Sequence, residues 1–390
     1  MEVMRAAEER AAEIASAGDG AGPGDVLRLE LGQPCSGAPS GARKAAVAAI
    51  GSDVLGYTSA LGIDPLRERL ARHYLDTYGI DLDPGRVMLT AGASGAFTLA
   101  FLSCFDPGDR VVVTAPGYPC YRNVLATLGV DVVELPVGPE TRFQPTPEML
   151  EEIAAGGPVA GIVVASPSNP TGTMLAADEL AALVAWCERA GAWLVSDEIY
   201  HGITYESPAH SALEFGGGAR TGDAAGVVVV NSFSKYFSMT GWRLGWLVLP
   251  PQLIRPAERL AQNLTIATST LAQHAALGAF DSLDECEQNV ARYGRNREVL
   301  LRGLEPLAEF GLGPTAPADG AFYVYLNVSG VCDDSLALAR TWLDELNVAV
   351  TPGHDFDTIA GRSWVRLSFA GAEDEIAEAV SRIDGWARRR

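Results

Sequence analysis

Seven short runs of apolar, largely β-branched residues constrain this chain more than any other feature. They are Val87–Ala91, Val111–Thr114, Val132–Leu135, Ile162–Ala165, Trp193–Ser196, Val227–Asn231 and Leu244–Leu249. Runs this short that stay apolar throughout, rather than alternating with polar residues, describe strands buried on both faces. Stretches with helical patterning separate most of them, such as Ser94–Phe105, Tyr118–Leu128 and Ala177–Ala190. That alternation predicts an α/β fold with a mostly parallel, seven-stranded sheet covered by helices on both faces.

The flanks read differently. Residues 2–17 predict a short amphipathic helix, and Gly18–Gly24 a linker rich in Gly, Pro and Asp. One long helical region spans about Pro251 to Phe280. Beyond it come a helix near Glu285–Leu307, a strand at Phe322–Leu326, a helix at Ser335–Leu346, a strand at Trp364–Phe369 and a last helix from Glu373. A chain of 390 residues is longer than one usual domain. The expected division is an N-terminal helix and linker at 1–30, a large α/β domain at 31–280 and a smaller α+β domain at 281–390. Residues 31–50 are open to packing on the small domain.

Charge narrows the function. The net charge is −20, from 29 basic and 49 acidic side chains, whereas nucleic acid and anionic membranes both call for a basic face. No run approaches the roughly 18 apolar residues of a membrane span. The first 17 residues carry Glu2, Glu8, Glu9 and Glu13 in place of the apolar stretch of a signal peptide. The cytoplasm is the expected location. The six cysteines are scattered without a paired spacing, so neither a disulfide framework nor a metal site is expected. Of the 29 basic residues only two are lysines, Lys44 and Lys235. Arginine keeps its proton and forms no Schiff base, whereas lysine can lose its proton and can form one. Lys44, in the helical stretch Gly41–Ile50, reads as a surface residue, which leaves Lys235 in want of a chemical explanation.

In open parallel sheets, ligands bind beyond the C-terminal ends of the strands. Directly after the first run comes Gly92-Ala93-Ser94-Gly95, opening a helix. Small residues there let a phosphate approach the free amides of the first turn; as a bare turn, Ser94 would be the N-cap. A hydrolase elbow is excluded because Ala96 stands where the last glycine is needed. After the fourth run comes Ser166-Pro-Ser-Asn169-Pro-Thr-Gly172, a turn in which Asn169 can offer an amide. After the fifth come Asp197, Glu198 and Tyr200, which set a carboxylate at the crevice. After the sixth come Ser232-Phe-Ser234-Lys235, and Arg243 precedes the seventh. Two hydroxyls and a guanidinium can hold a phosphate. A shielded lysine beside that cation would favour the neutral, nucleophilic amine.

With these residues assembled, the chain resembles the class I/II, aspartate aminotransferase-like family of fold-type I enzymes that use pyridoxal 5′-phosphate, from about Leu31 to Trp386. The segment from Asn231 to Gly245 is similar to the family's S-x-S-K…G-x-R-x-G signature. The resemblance implies that Lys235 carries the cofactor as a Schiff base and that Asp197 pairs with its pyridine nitrogen. Asn169 and Tyr200 would bond the phenolic oxygen, and Tyr118 would stack on the ring. Ala93, Ser94, Ser232, Ser234 and Arg243 would hold the phosphate. Tyr57, in Gly56-Tyr-Thr, looks like the tyrosine that reaches the partner subunit's phosphate, which implies a homodimer. Gly32 and Arg366 match the positions that receive a substrate α-carboxylate. The implied reaction moves an amino group between an α-amino acid and a 2-oxo acid.

Two other readings share the cofactor. Elimination and replacement enzymes use nearly the same contacts, since such motifs report the cofactor better than the reaction. A non-enzymatic regulator would need an added DNA-binding domain, and only about 30 residues precede Leu31. A nicotinamide enzyme is disfavoured because no G-x-G-x-x-G follows a strand. No second arginine for a dicarboxylic substrate stands out. The segment Gln33–Pro39 is expected to line the side-chain pocket, with Cys35 as a pocket residue or a tolerated small side chain.

Overall fold

A computed structural model describes residues 2–17, 25–52, 54–216 and 226–390. The chain opens with α1 (Glu2–Ala17), a two-residue strand β1 (Leu27–Arg28), α2 (Ser40–Ser52) and α3 (Asp64–Tyr78). The expected linker Gly18–Gly24 lies outside the described residues. Next come β2 (Val87–Thr90), α4 (Gly92–Cys104), β3 (Arg110–Ala115), α5 (Pro119–Thr127), β4 (Asp131–Pro136), α6 (Pro147–Ala154), β5 (Gly161–Ala165), α7 (Ala177–Ala190), β6 (Trp193–Asp197), β7 (Val227–Ser232) and β8 (Gly245–Val248). Each of the seven apolar runs becomes a strand.

Among the described residues these strands form one sheet in the order β2-β8-β7-β6-β5-β3-β4. β8 alone runs antiparallel to its neighbours. Alternate side chains along each strand enter different cores, as a period of two requires. Val112, Ile162, Val164, Leu194 and Val229 face the layer holding Leu183 and Trp186 of α7. Val111, Val113, Val163, Val195, Val228 and Val230 face the layer holding Phe97 and Phe101 of α4. Burial on both faces explains why the runs lack polar alternation. The edge strand β4 is partly exposed.

The remainder comprises α8 (Pro251–Leu264), α9 (Thr270–Ala279), α10 (Leu283–Leu304), β9 (Tyr323–Asn327), α11 (Ser335–Leu346), β10 (Val348–Ala349), β11 (Thr351–Pro352), β12 (Trp364–Ser368) and α12 (Glu373–Ala387). The single helical region expected over Pro251–Phe280 is two helices. α8 stops at Thr265, Ile266 adopts a left-handed φ of 64°, and Ser269 Oγ accepts the Ala272 amide to start α9. Hydroxyl and β-branched residues fill that break, and they favour caps over helix interiors.

β9, β12 and β11 form an antiparallel sheet, and β1 pairs with β10. Leu27 and Leu29 share the core of this sheet with Val324, Leu326, Val365 and Trp342. Ala42 and Ala46 of α2 instead pack with Ala275, Ala276 and Ala279 of α9. No helix among the described residues is long and apolar enough to cross a membrane.

Candidate active site

The reversed direction of β8 builds the site. Its first residue, Gly245, pairs with Thr90 at the end of β2 and with Ser232 at the end of β7. The start of α4, the turn after β7 and the loop before β8 therefore meet at one edge of the sheet. β5 and β6 end at the same edge, where Ala165 pairs with Asp197 and Asp197 with Val230. A cavity of about 440 Å³ opens there, and Lys235 lines it.

One end of the cavity suits an anion. Ala91 occupies the N-cap position of α4 without a side-chain cap, so the first-turn amides lack the acceptor a Ser or Asp would bring. Ser94 lies inside that first turn and lines the cavity with Ala93. Gly92 has φ 69°, and a Cβ there would stand 2.5 Å from Arg243 Nη2. Gly245 is equally closed, with Ala93 N 3.1 Å from where its Cβ would be. Ser234 and Arg243 line the cavity. Ser232 is not among the lining residues; its Oγ is bonded to Ser234 Oγ at 2.9 Å and receives the Ser234 amide at 3.1 Å.

Lys235 and Asp197 occupy the middle. Lys235 Nζ donates to Gly32 O at 2.5 Å. Burial, reinforced by the positive charges of Arg366 and Arg243, lowers the Lys235 pKa to about 8, against the pull of Asp197. Burial likewise raises Asp197 to about 6, although three groups favour its charged form: the Tyr121 hydroxyl, the Ile199 amide and Lys235. Tyr121 donates to Asp197 Oδ2 and Ile199 N donates to Oδ1 at 3.1 Å. The pair thus offers a reactive amine and a carboxylate in one cavity.

The far end is cationic. Arg366 Nη1 donates to Asn169 Oδ1 at 2.9 Å, and Nη2 donates to Glu30 O at 2.7 Å and Thr351 Oγ1 at 3.2 Å. Its guanidinium carbon lies 4.4 Å from the Tyr323 ring centre and 4.8 Å from that of Phe356. Arg366 Nε is buried with no hydrogen-bond partner among the described residues, a donor that an entering carboxylate would satisfy. Because Asn169 gives its carbonyl to Arg366, its amide N–H groups are left to donate into the cavity. Tyr200 is buried, and its hydroxyl is 2.7 Å from that of Tyr323; burial pushes its pKa well above the usual phenol value.

The other expected residues are placed as follows. Tyr118 and Gly32 line the cavity, and the Tyr118 ring stands edge-on to Tyr121 at 5.5 Å. Tyr57 is 83% exposed and does not line the cavity of its own chain. Gln33 lines it, whereas Cys35 lines an adjoining groove with Ser238 and Trp242. Residues that enter without a sequence expectation include Tyr121, Tyr323 and Met4 of α1. Tyr121 could have been found as the residue one helical turn after Tyr118. Tyr323 follows Gly320-Ala-Phe and begins β9. Nothing in the sequence points from α1 to the cavity.

Comparison with known proteins now bears on this geometry. Residues 24–383 match the family described as aminotransferase class I and II. A valine–pyruvate aminotransferase of Mycobacterium tuberculosis is 49% identical over 365 residues, covering 93% of this chain and 91% of that one. An aspartate aminotransferase of Pyrococcus horikoshii is 31% identical, covering 92% and 90%. The crystal structure of an aminotransferase from M. tuberculosis superimposes with a TM-score of 0.92 at 47% identity, covering 100% of this chain and 96% of that one. The aspartate aminotransferase of Thermus thermophilus with maleate gives 0.87 at 32%, covering 99% and 96%. Members of this family use pyridoxal 5′-phosphate, which asks for an anion cradle, a lysine amine and a carboxylate. The uncapped first turn of α4 with its Cβ-free cradle fits the first demand, and half-buried Lys235 and buried Asp197 fit the others. The chain therefore belongs to the class I and II aminotransferases and is a pyridoxal phosphate-dependent enzyme that transfers amino groups.

Proposed function

We propose that this aminotransferase takes its amino group from a neutral, aliphatic α-amino acid and passes it to pyruvate, with Lys235 as the residue that holds the cofactor and carries the substrate proton. The observation that supports the substrate class is the lining of the cavity that Arg366 shares. It includes Met4, Leu31, Gln33 and Tyr323, which offer apolar surface and one neutral amide to a side chain. The cations lining the cavity among the described residues are Lys235, Arg243 and Arg366, and each has a task that leaves none for a second carboxylate. The similarity to a valine–pyruvate aminotransferase points the same way.

In this reading, Ala93, Ser94, Ser234 and Arg243 hold the phosphate, with Ser232 fixing Ser234 from behind. Asp197 pairs with the pyridine nitrogen, whose positive charge would keep the carboxylate ionised despite its burial. Tyr118 would lie against the ring, and Asn169 and Tyr200 would donate to its phenolic oxygen. When bound, pyridoxal phosphate supplies an electron sink for negative charge at the substrate Cα. Arg366 grips the α-carboxylate and so orients the Cα–H bond. With the cofactor bound, Lys235 as a neutral amine would move the substrate proton between Cα and the C4′ atom. A second copy of the chain would contribute Tyr57 to the phosphate, making the working unit a homodimer.

The test has two arms. Adding valine alone should bleach the visible absorbance of the lysine-bound cofactor and release one equivalent of 2-oxo acid. With pyruvate present, kcat/KM for valine should exceed that for aspartate by about tenfold or more. Lys235→Ala should lose the visible band and at least about a thousandfold in turnover, whereas Lys44→Arg should keep both. A preference for aspartate would overturn the substrate class. Release of pyruvate and ammonia from serine, without bleaching, would replace transfer by elimination.

A further inference from the structure

Tyr323 touches both polar anchors of the cavity at once. β9 and β12 pair antiparallel with Arg366 opposite Tyr325, so Arg366 projects from the same sheet face as Tyr325 and Tyr323, two residues apart on β9. The guanidinium settles over the Tyr323 ring at 4.4 Å. The hydroxyl of the same ring reaches Tyr200 at 2.7 Å. Its path is tight: a Cβ on Gly32 would collide with Tyr323 Oη. Gly32 is also the residue whose carbonyl receives Lys235 Nζ. Tyr323 is fully buried, and its hydroxyl bond to Tyr200 fixes how the ring is turned.

The direction of the bond follows from the surroundings. A cation against a phenol ring makes its hydroxyl the better donor. Tyr323 therefore donates to Tyr200, whose own proton is left to point into the cavity. Accepting one hydrogen bond strengthens the bond a hydroxyl donates, by roughly 10–30%. We propose that Tyr323 is a positioning residue with two separable tasks: its hydroxyl turns the Tyr200 proton toward the cofactor's phenolic oxygen, and its ring fixes Arg366 for the substrate carboxylate.

This rests on the assignment of Tyr200 and Arg366 above, and the experiment separates the two. In the holoenzyme, the pH at which the visible band of the lysine-bound cofactor titrates reports on the phenolic oxygen. A weaker donor there leaves that oxygen more basic and the neighbouring imine proton more firmly held. Tyr323→Phe should raise the midpoint by about half a pH unit and leave KM for the amino acid within about twofold. In a Tyr200→Phe background the same substitution should add no shift, because the bond it acts through is gone. Tyr323→Leu should raise KM about fivefold to tenfold over Tyr323→Phe through loss of the ring under Arg366; if it does not fold, Tyr323→Met, nearer in volume, serves.

An unchanged midpoint in Tyr323→Phe, or an equal shift with Tyr200 already removed, would overturn the hydroxyl's task. Equal KM values for the Phe and Leu variants would overturn the ring's task. If the wild-type protein shows no band that bleaches with amino acid, the proposed function fails instead, before Tyr323 is tested.

Discussion

Asp197 and Glu198 are neighbours whose environments ask opposite things of a carboxyl group. Asp197 lines the cavity and is bonded by Tyr121 and the Ile199 amide. Glu198, next along, turns to the other side, where Oε1 accepts from Ser196 Oγ, Ser211 Oγ and the Ala212 amide. Its Oε2 has no bond among the described residues and lies 3.6 Å from His201 Nδ1. His201 Nε2 sits 2.9 Å from Ser166 O and must donate to it, so Nδ1 is the unprotonated nitrogen; it faces the Tyr78 hydroxyl at 2.7 Å. Burial raises Glu198 to about 8 and lowers His201 to about 3. Glu198 is thus neutral in the folded protein over a range where it is ionised in the unfolded chain. The stability it contributes is full below its ordinary pKa near 4.5 and is lost as pH rises through about 8. Glu198→Gln keeps an acceptor for the three donors and cannot ionise. Its thermal midpoint should equal that of the wild type near pH 5 and exceed it by a few degrees near pH 9; a constant difference across that range would refute the assignment. At this scale the sequence shows chemistry better than partnership. Lys235 and Arg366 stand out by type and motif, but Tyr121 and Tyr323 are ordinary core aromatics until folding brings them against Asp197 and Tyr200.

At the level of elements, the first turn of α4 is where backbone geometry decides function. Gly92 has φ 69° and leaves room for the Arg243 guanidinium. Arg243 itself has φ 52°, and its Nη1 is held by Thr240 O at 2.9 Å. Gly92→Ala would strain a left-handed position and press a methyl group against Arg243. The expected cost is about 1–2 kcal/mol in stability and about tenfold or more in pyridoxal phosphate affinity, measured by thermal unfolding of the apoprotein and equilibrium dialysis. Unchanged affinity would mean that Arg243 and the α4 amides do not form the cradle. The strands feeding this edge were legible because burial on both faces leaves uninterrupted apolar runs. The break between α8 and α9 was not, because Thr265–Ser269 contains neither Gly nor Pro and the apolar pattern continues across it. The reversal of β8 was equally hidden: Leu244–Leu249 reads like its parallel neighbours, and only pairing with both Thr90 and Ser232 brings Gly92 and Arg243 together.

For the whole molecule, one group of exposed apolar residues bears on the proposed homodimer. Val47 and Ile50 on α2, then Val54 and Tyr57, are 72%, 62%, 96% and 83% exposed. Leu264, the last residue of α8, and Ile266, in the break that follows, are also exposed. Thr270 Oγ1 donates to Gly56 O at 2.6 Å, which ties the two segments together. A chain of net charge −20 repels its own copies at long range, and an apolar patch is where copies can meet without adding to that repulsion. In the proposed homodimer this patch would be buried, and that placement would carry Tyr57 to the neighbouring cavity. Two substitutions separate assembly from chemistry. Ile50→Glu puts a charge in the apolar contact and should raise the dimer dissociation constant about a hundredfold, with activity falling on dilution in step with the monomer fraction. Tyr57→Phe should sediment as the dimer yet bind pyridoxal phosphate about tenfold more weakly, since it loses a hydrogen bond to a charged group. If Ile50→Glu stays fully active as a monomer, each cavity is complete within one chain. If it dissociates while Tyr57→Phe binds cofactor like the wild type, the interface is shared but Tyr57 does not cross it.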